Sequence, residues 1–328
     1  MLASVVGRLP MGIAGLAILL YVQGGTGSFA AAGLVSALYV IGVAAIAPLV
    51  GRMIDRLGPR PLLLAGALIY PAALIAMVLL VEARAQPAWI AGAALLAGGM
   101  LPPITIGMRT LFPRMLEDSG LLQTAYSIDS ILVESIFVAG PAIIALFVAL
   151  DWRSGAVLFA AACGMAGALL FARSPAIRAW TPAATSAQKS LLGPLLHAPL
   201  RALYLATVFY SIAFGLLEVA ITALATAQGS PAAAGIILAL ASVGSGMGAL
   251  VFGSRHWDMP PQRQYVIAQF AMAAGLFILA PVTNLYLMAA LCVFACSPMA
   301  PVIALQSVLV ARHTPSQMMA EKIGRAHV

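Results

Sequence analysis

The sequence predicts an all-α protein that crosses a membrane several times, and its composition carries most of that prediction. Hydrophobic residues make up 62% of the 328 residues, charged residues make up 8%, and the mean hydropathy is +1.03. A soluble domain does not bury that much apolar surface, whereas a bilayer accepts it. The net charge of +7 comes from basic residues spread one or two to a loop. This spread indicates membrane topology and excludes a nucleic-acid partner.

A helix needs about 20 mainly apolar residues to cross a bilayer. Ten stretches of the chain meet that requirement, and we number them spans one to ten. They are residues 9–27, 29–50, 61–81, 87–108, 123–149, 154–173, 202–226, 231–252, 265–282 and 285–311.

Basic residues between the spans predict their orientation. If the N-terminus is cytoplasmic, the outer loops hold only Arg84 and Arg153. The cytoplasmic segments then hold Arg8, Arg52, Arg56, Arg60, Arg109, Arg114, Arg173, Arg178, Lys189, Arg201, Arg255, Arg263 and Arg312. Such a bias is typical of the cytoplasmic side. The sequence therefore predicts a multi-pass protein of the cytoplasmic membrane with its N-terminus inside.

An internal repeat relates the first part of the chain to the second. At an offset of 202 positions, 11 of the 25 residues in 27–51 are identical to those in 229–253. The matches include glycines at the ends and in the middle of the segment, which alanine richness does not explain. Spans two and eight are therefore equivalent members of two parallel halves.

The domain prediction follows from this repeat. Residues 1–173 form an N-terminal half of six helices, and residues 174–200, rich in Pro, Ala and Ser, form a cytoplasmic linker. Residues 201–321 form a C-terminal half, which holds four spans where the repeat predicts six.

The last seven residues suggest a reason for that shortfall. Residues 322–328, Lys-Ile-Gly-Arg-Ala-His-Val, back-translate into a sequence that resembles a common short-read sequencing adapter. We hypothesise that the native sequence ends near Glu321 and that residues 322–328 are an artefact. The alternative is a natural ten-span protein with a short basic tail.

A charged segment, residues 51–60, separates spans two and three. It resembles the pattern G-x-x-x-D-R-x-G-R-R/K, which joins helices two and three in the major facilitator superfamily, and Pro59 departs from that pattern. The matching positions are Gly51, Asp55, Arg56, Gly58 and Arg60. The resemblance implies a conformational-switch loop, in which Asp55 meets the positive end of a second-half helix. The alternative is a loop that only sets topology.

The same resemblance implies a fold and an activity. The fold would be two parallel six-helix halves, with the last two helices of the second half missing. The activity would be secondary transport, in which the halves rock around a central site.

Three acidic residues lie inside predicted spans: Glu218 in span seven, and Glu134 and Asp129 in span five. A carboxylate at bilayer depth is costly and usually faces a cavity, so all three are candidates for handling protons or substrate. Asp129 points about 140° away from Glu134 around the helix. A packing hydrogen bond is the alternative for Glu218, and a salt bridge to Arg109 or Arg114 is the alternative for Asp129.

Gly140 and Pro141 in span five resemble the core of the superfamily's antiporter motif, g-x-x-x-G-P-x-x-G-G. Only the Gly-Pro pair is present here. A proline inside a helix favours a kink whatever its function. The resemblance implies efflux by an antiporter.

Spans four and ten contain residues that interrupt helices. Span four holds glycines 98–99 and prolines 102–103, and span ten holds Pro298 and Pro301. Interrupted membrane helices free backbone groups that can line a cavity. The alternative is a bend that only shapes the bundle.

Other motifs favour packing over chemistry. Gly244 and Gly248 in span eight predict close approach to another helix. Cys292 and Cys296 have no histidine or carboxylate at matching depth, and all four histidines fall in loops or the tail. The sequence therefore predicts no metal site and no cofactor, and it does not favour an enzyme.

Together these features predict a secondary active transporter that exports a small organic solute in exchange for protons. Its partners would be that solute, protons and the lipid bilayer, and the protein would be monomeric. An importer or facilitator of a metabolite or sugar would use the same scaffold. The few aromatic residues (7%) and the expected absence of buried Lys or Arg argue against sugar or anionic cargo. A non-transporting membrane scaffold or a membrane enzyme is the remaining alternative.

Overall fold

The structure, a computed structural model, describes residues 2–116, 119–180, 198–255 and 257–313. Some side chains inside these ranges also lie outside the description, among them those of Asp55 and Glu134. Within the described residues the regular structure is entirely helical. The helices are α1 (Leu2–Thr26), α2 (Phe29–Leu57), α3 (Pro59–Glu82), α4 (Pro87–Gly99), α5 (Ile104–Met115), α6 (Ser119–Ala149), α7 (Arg153–Ala172), α8 (Pro175–Arg178), α9 (Ala198–Ala227), α10 (Ala232–Gly253), α11 (Pro261–Leu279), α12 (Leu285–Ala295) and α13 (Met299–His313).

The count of membrane-length helices is slightly lower than predicted. Among the described residues, eight segments are long and apolar enough to cross a membrane, against ten predicted spans. Span five lies in α6, where only the shorter stretch Ser135–Ala149 qualifies as an apolar helix. Span nine lies in α11, whose first turn carries two glutamines and an arginine. The polar first turn of α11 explains why that helix is not counted, and in α6 the residues Ser135–Ala149 are the longest run whose side chains are all described. The all-helical membrane fold itself is confirmed.

Spans four and ten are each broken into two helices, as the sequence predicts. The first break lies at residues 100–103, between α4 and α5, and the second at residues 296–298, between α12 and α13. Proline has no backbone N–H to donate, and it disfavours the α conformation in the residue before it. Both breaks therefore fall where prolines interrupt otherwise apolar helices.

The chain divides into two compact units. The first unit comprises residues 1–186 with 221–239, and the second comprises residues 187–220 with 240–328. Helix α1 supplies much of the first unit's core, because its residues from 13 to 20 are almost all fully buried. It packs against both α6 and α7.

Small residues let α1 and α6 touch through their backbones. A Cβ added to Gly140 would lie 3.0 Å from the Gly12 Cα and would overlap the Gly12 carbonyl, and one added to Gly12 would overlap the Ile136 carbonyl. Close approach of backbones is the usual role of small residues in membrane helix pairs.

The internal repeat is visible in the geometry of each unit. In the first unit, a Cβ added to Gly42 would lie 2.8 Å from the backbone of α4, and in the second, one added to Gly244 would lie 2.7 Å from the Val293 Cα of α12. Gly27 and Gly229, which precede α2 and α10, share a φ of +71°. The turns before α2 and α10 and the close contacts at Gly42 and Gly244 therefore match, whereas Gly33 has open space around it and its counterpart Gly235 packs on α6.

Candidate functional site

A buried ion cluster connects α1, α5 and α6 in the first unit. The Arg8 Nη1 donates a hydrogen bond to Asp129 Oδ1, and the Arg109 Nε donates to Asp129 Oδ2 at 3.0 Å. The side chains of Arg8 and Asp129 are 1% and 2% exposed, and that of Arg109 is 48% exposed. Each oxygen of the carboxylate therefore accepts from its own guanidinium.

The charges of this Arg8–Asp129–Arg109 cluster do not cancel. Both arginines stay protonated in proteins, so these three side chains hold two positive charges against one negative charge when Asp129 is ionised. The Nε and Nη2 of Arg8 are buried and have no hydrogen-bond partner in the described part of the chain. Buried donors without partners cost about 1–3 kcal/mol each. The ion pair with Asp129 therefore offsets part of the free-energy cost of burying the Arg8 guanidinium.

Arg8 corrects two predictions made from the sequence. Span one was predicted to begin at residue 9, which placed Arg8 in a cytoplasmic segment, but the apolar helix runs from Ser4 to Thr26 and contains it. The expected absence of buried Lys or Arg is also wrong. The sequence did contain a signal for a buried Arg8. Arg8 has apolar residues on both sides, and Asp129 lies inside another span without a basic residue in its own span. The argument against anionic cargo therefore no longer holds.

Asp129 does not reach water from the end of span five, because its side chain is 2% exposed. It is the eleventh residue of α6. Of the two arginines considered as its partner, Arg109 makes the pair. Arg114 instead lies over the ring of Trp180, with its Cζ 3.7 Å from the ring centroid.

A small cavity of about 130 Å³ lies beside the cluster, at the break between α4 and α5. Met11 and Thr105 line it, and the Thr105 Oγ1 lies 3.5 Å from the Met11 Sδ. Met11 follows Arg8 by three positions and Thr105 precedes Arg109 by four, so each shares a helix face with its arginine. The wall is otherwise mostly apolar, with several residues of α2 opposite the break. Met11 and Thr105 thus place this small, mostly apolar cavity about one helical turn along α1 and α5 from the two arginines.

The predicted switch loop is mostly helical. Helix α2 runs to Leu57 and α3 begins at Pro59, which leaves Gly58 as the corner between them. Gly58 has a φ of +80°, which favours glycine, and its N–H donates to the Ile54 carbonyl at 2.9 Å. Proline is favoured at the first position of a helix, so Pro59 suits this corner. The prediction ended span two at residue 50 because the residues that follow are polar, but polar residues extend a helix where it reaches water.

The other residues of the predicted switch are placed as follows. Gly51 lies within α2 and has open space around it. Arg56 is exposed in the last turn of α2, where a basic side chain suits the helix dipole, and Arg60 is exposed in the first turn of α3. Asp55 belongs to α2, and its side chain lies outside the described residues. Its role as a switch stays a prediction.

The start of the predicted linker is packed onto this corner. Ile177 of α8 is buried in a core cluster with residues of α3, α5 and α7. A Cβ added to Gly58 would lie 2.9 Å from the Trp180 Cδ1, so Trp180 rests directly on the glycine. Arg114 covers the other part of the same ring. We call Gly58, Trp180 and Arg114 the corner clamp.

The remaining site predictions lie elsewhere. Glu134 is in α6, and its side chain lies outside the described residues. Glu218 is half-buried in α9 of the second unit. Pro141 lies inside α6 without ending it, and its carbonyl faces Gly235 of α10, whose added Cβ would lie 2.9 Å from the Ala145 Cβ. Gly140 and Pro141 thus serve close helix packing on both sides of α6.

Comparison with known proteins identifies the family. No curated protein matches this chain. The model of the Major Facilitator Superfamily matches residues 1–326, which is nearly the whole sequence. The match agrees with the all-helical fold, the membrane-length helices and the duplicated glycine contacts. The chain therefore belongs to the Major Facilitator Superfamily, a family of multi-pass membrane transporters.

Proposed function

We propose that this transporter exports a small organic solute across the cytoplasmic membrane in exchange for protons, with its N-terminus inside. The observation that carries the proposal is the Arg8–Asp129–Arg109 cluster. Asp129 is the most buried acidic side chain in the part of the chain that the structure describes, and ionisable groups at such depth usually belong to proton or substrate pathways.

In this proposal, a proton on Asp129 would weaken the cluster. A neutral Asp129 no longer attracts Arg8 and Arg109, and two unit charges about 4 Å apart interact by about 4 kcal/mol at an effective dielectric constant of about 20. Arg109 is half exposed, so it can turn toward water when its partner is neutral. Loss of the proton restores both ion pairs and holds α1, α5 and α6 together. One proton thus changes how tightly three helices are joined.

The position of the cluster supports a link to solute. Met11 of α1 and Thr105 of α5 line the cavity at the α4–α5 break, so in this proposal a rearrangement of the ion pairs acts on two helices that form the cavity wall. The export direction rests on the resemblance of Gly140 and Pro141 to an antiporter motif. Glu134 and Glu218 remain further candidates for proton handling.

The test uses the full chain in proteoliposomes with an imposed pH gradient and an internal pH dye. A panel of fluorescent organic solutes identifies one that the wild type moves. We expect Asp129→Asn to abolish the dependence of solute flux on the gradient. Asp151→Asn is the matched control, because Asp151 is exposed and Asn tolerates its positive φ of 53°. Unchanged gradient dependence in Asp129→Asn would overturn Asp129 as the coupling residue.

The same assay separates the alternatives. A facilitator would move solute with no proton movement in the wild type, and an importer would move it only with the gradient reversed. Glu134→Gln and Glu218→Gln are measured in parallel. If gradient dependence is lost in one of these and kept in Asp129→Asn, coupling belongs to that glutamate.

A further inference from the structure

The second unit contains a larger apolar groove, distinct from the ion cluster. Its volume is about 350 Å³. It lies between α10 and α11, and residues at the break between α12 and α13 also line it. Small-molecule sites in proteins have volumes of about 300–1,000 Å³. The side chains that form its walls include Met247, Val251, Phe252, Ile267 and Phe294.

The groove offers a ligand hydrocarbon contacts and few polar ones. Gln264 and Ser297 are polar residues of its lining. The Gln264 Nε2 donates to the Met259 carbonyl at 2.6 Å, and the Ser297 Oγ donates to the Phe294 carbonyl at 2.8 Å. Both donors are therefore already used by the backbone. A polar solute would gain little here, whereas an alkyl chain would bury apolar surface against the walls of the groove.

The groove is open to its surroundings along its length. Phe294 is 74% exposed, and Met247 and Val251 are each 53% exposed. In a membrane protein, exposed apolar side chains on a spanning helix meet lipid tails, which are present at high concentration. An acyl chain therefore reaches this groove without crossing water.

One end of the groove is formed by the segment between α10 and α11, and basic residues lie in and next to that segment. Trp257 of that segment stacks on Phe252, with ring centroids 5.4 Å apart. Tryptophan is enriched at the level of lipid headgroups. Arg255 lies in this segment and Arg263 in the first turn of α11, both are exposed, and Asp258 lies between them in the sequence. These three groups together are net positive.

We propose that this groove is a binding site for an anionic phospholipid. One acyl chain lies between α10 and α11 over the α12–α13 break, and the phosphate lies beside Arg255 and Arg263. Basic residues at the surface end of a gap between membrane helices are the usual arrangement for binding anionic headgroups. The apolar wall and the basic rim each match one part of the same molecule.

The test is lipid retention by the purified full chain, extracted from vesicles of equal phosphatidylglycerol and phosphatidylcholine and measured by native mass spectrometry. We expect the wild type to retain phosphatidylglycerol in preference. Met247→Trp, which fills the groove, should remove both lipids. Leu250→Trp is its control, because Leu250 is on the same helix, is 75% exposed and does not line the groove.

The headgroup contact is tested separately. Arg255→Gln and Arg263→Gln should each lower the preference for phosphatidylglycerol about fivefold, the equivalent of about 1 kcal/mol, and leave phosphatidylcholine retention unchanged. Exposed Arg178→Gln is the control. Equal retention of the two lipids by the wild type, or unchanged retention in Met247→Trp, overturns the proposal. Displacement of lipid by a transported solute would assign the groove to the solute instead.

Discussion

At the scale of single residues, the central feature is the carboxylate of Asp129, which pairs with both Arg8 and Arg109. Removing one partner of a buried ion pair is costly because the other charge stays buried without compensation, whereas replacing both by apolar groups is often nearly neutral. The Arg8–Asp129–Arg109 cluster has this asymmetry built in, since Arg8 already has two donors without partners in the described structure.

This asymmetry predicts a clear pattern in stability. Asp129→Leu should destabilise the protein by about 3–5 kcal/mol, because it leaves Arg8 buried alone. Arg8→Met combined with Asp129→Leu should recover a large part of that loss. The measurement is a double-mutant cycle on thermal unfolding of the purified protein, with exposed Arg173→Met as the control. Strictly additive effects of the two substitutions would show that the residues are not coupled.

The residue scale is also where sequence reasoning reached its limit. The sequence predicts a possible pair of Asp129 with Arg109 or Arg114, because the cytoplasmic end of span five brings Asp129 near the basic residues that follow span four. Arg8 was missed because it is close to the start of the chain, where an arginine is usually a topology signal. Only the contact between α1 and α6, 121 positions apart in sequence, shows that Arg8 is inside. Pairings at that separation are set by tertiary packing, which local patterns do not encode.

At the scale of helices, the breaks and corners were more predictable than the helix ends. Prolines located the α4–α5 and α12–α13 breaks, because the physical cause is local to the chain. The charged residues in 51–60 predict a loop, but α2 continues to Leu57 and Gly58 alone forms the corner before α3. Trp180 contacts Gly58, although no sequence pattern relates the start of the predicted linker to the α2–α3 corner. The first residues of the predicted linker therefore belong to the first unit.

The corner clamp predicts a local change in flexibility. Trp180→Ala removes the ring that rests on Gly58 and the cation–π contact with Arg114, which is worth about 0.5–2 kcal/mol. Residues 174–180 should then exchange amide hydrogens faster, while α3 and α7 stay protected. Hydrogen–deuterium exchange of the full chain measures this. Trp89→Ala is the control, because Trp89 is 68% exposed in α4, and exchange that is equal in both variants would contradict the clamp.

At the scale of the whole molecule, the duplicated half is the best predicted feature. The glycine matches at an offset of 202 in sequence correspond to matching turns at Gly27 and Gly229 and matching contacts at Gly42 and Gly244. Repeats are readable from sequence because each copy preserves the same close contacts. The boundaries of the two halves and the nature of the last residues stay predictions.

Orientation across the membrane is a prediction at this scale. Arg8 leaves the cytoplasmic set because it is buried, and the remaining basic residues still fall mostly on one side. We expect Ser254→Cys to react with an impermeant maleimide only from the cytoplasmic face and Ser230→Cys only from outside. Both serines are exposed and lie at opposite ends of α10. The native cysteines are buried and give a low background, and the reverse labelling pattern would invert the topology.

The ion cluster has a consequence for how the protein is made. Arg8 and Arg109 are both synthesised before Asp129, and Arg8 precedes it by 121 residues. At about 5–20 residues per second, the ribosome needs roughly 6–24 seconds to cover that distance. During this interval Arg8 has no carboxylate to pair with. The ion pair that joins α1 to α6 therefore forms only after α6 has been synthesised, and the packing of this half is completed at its first helix.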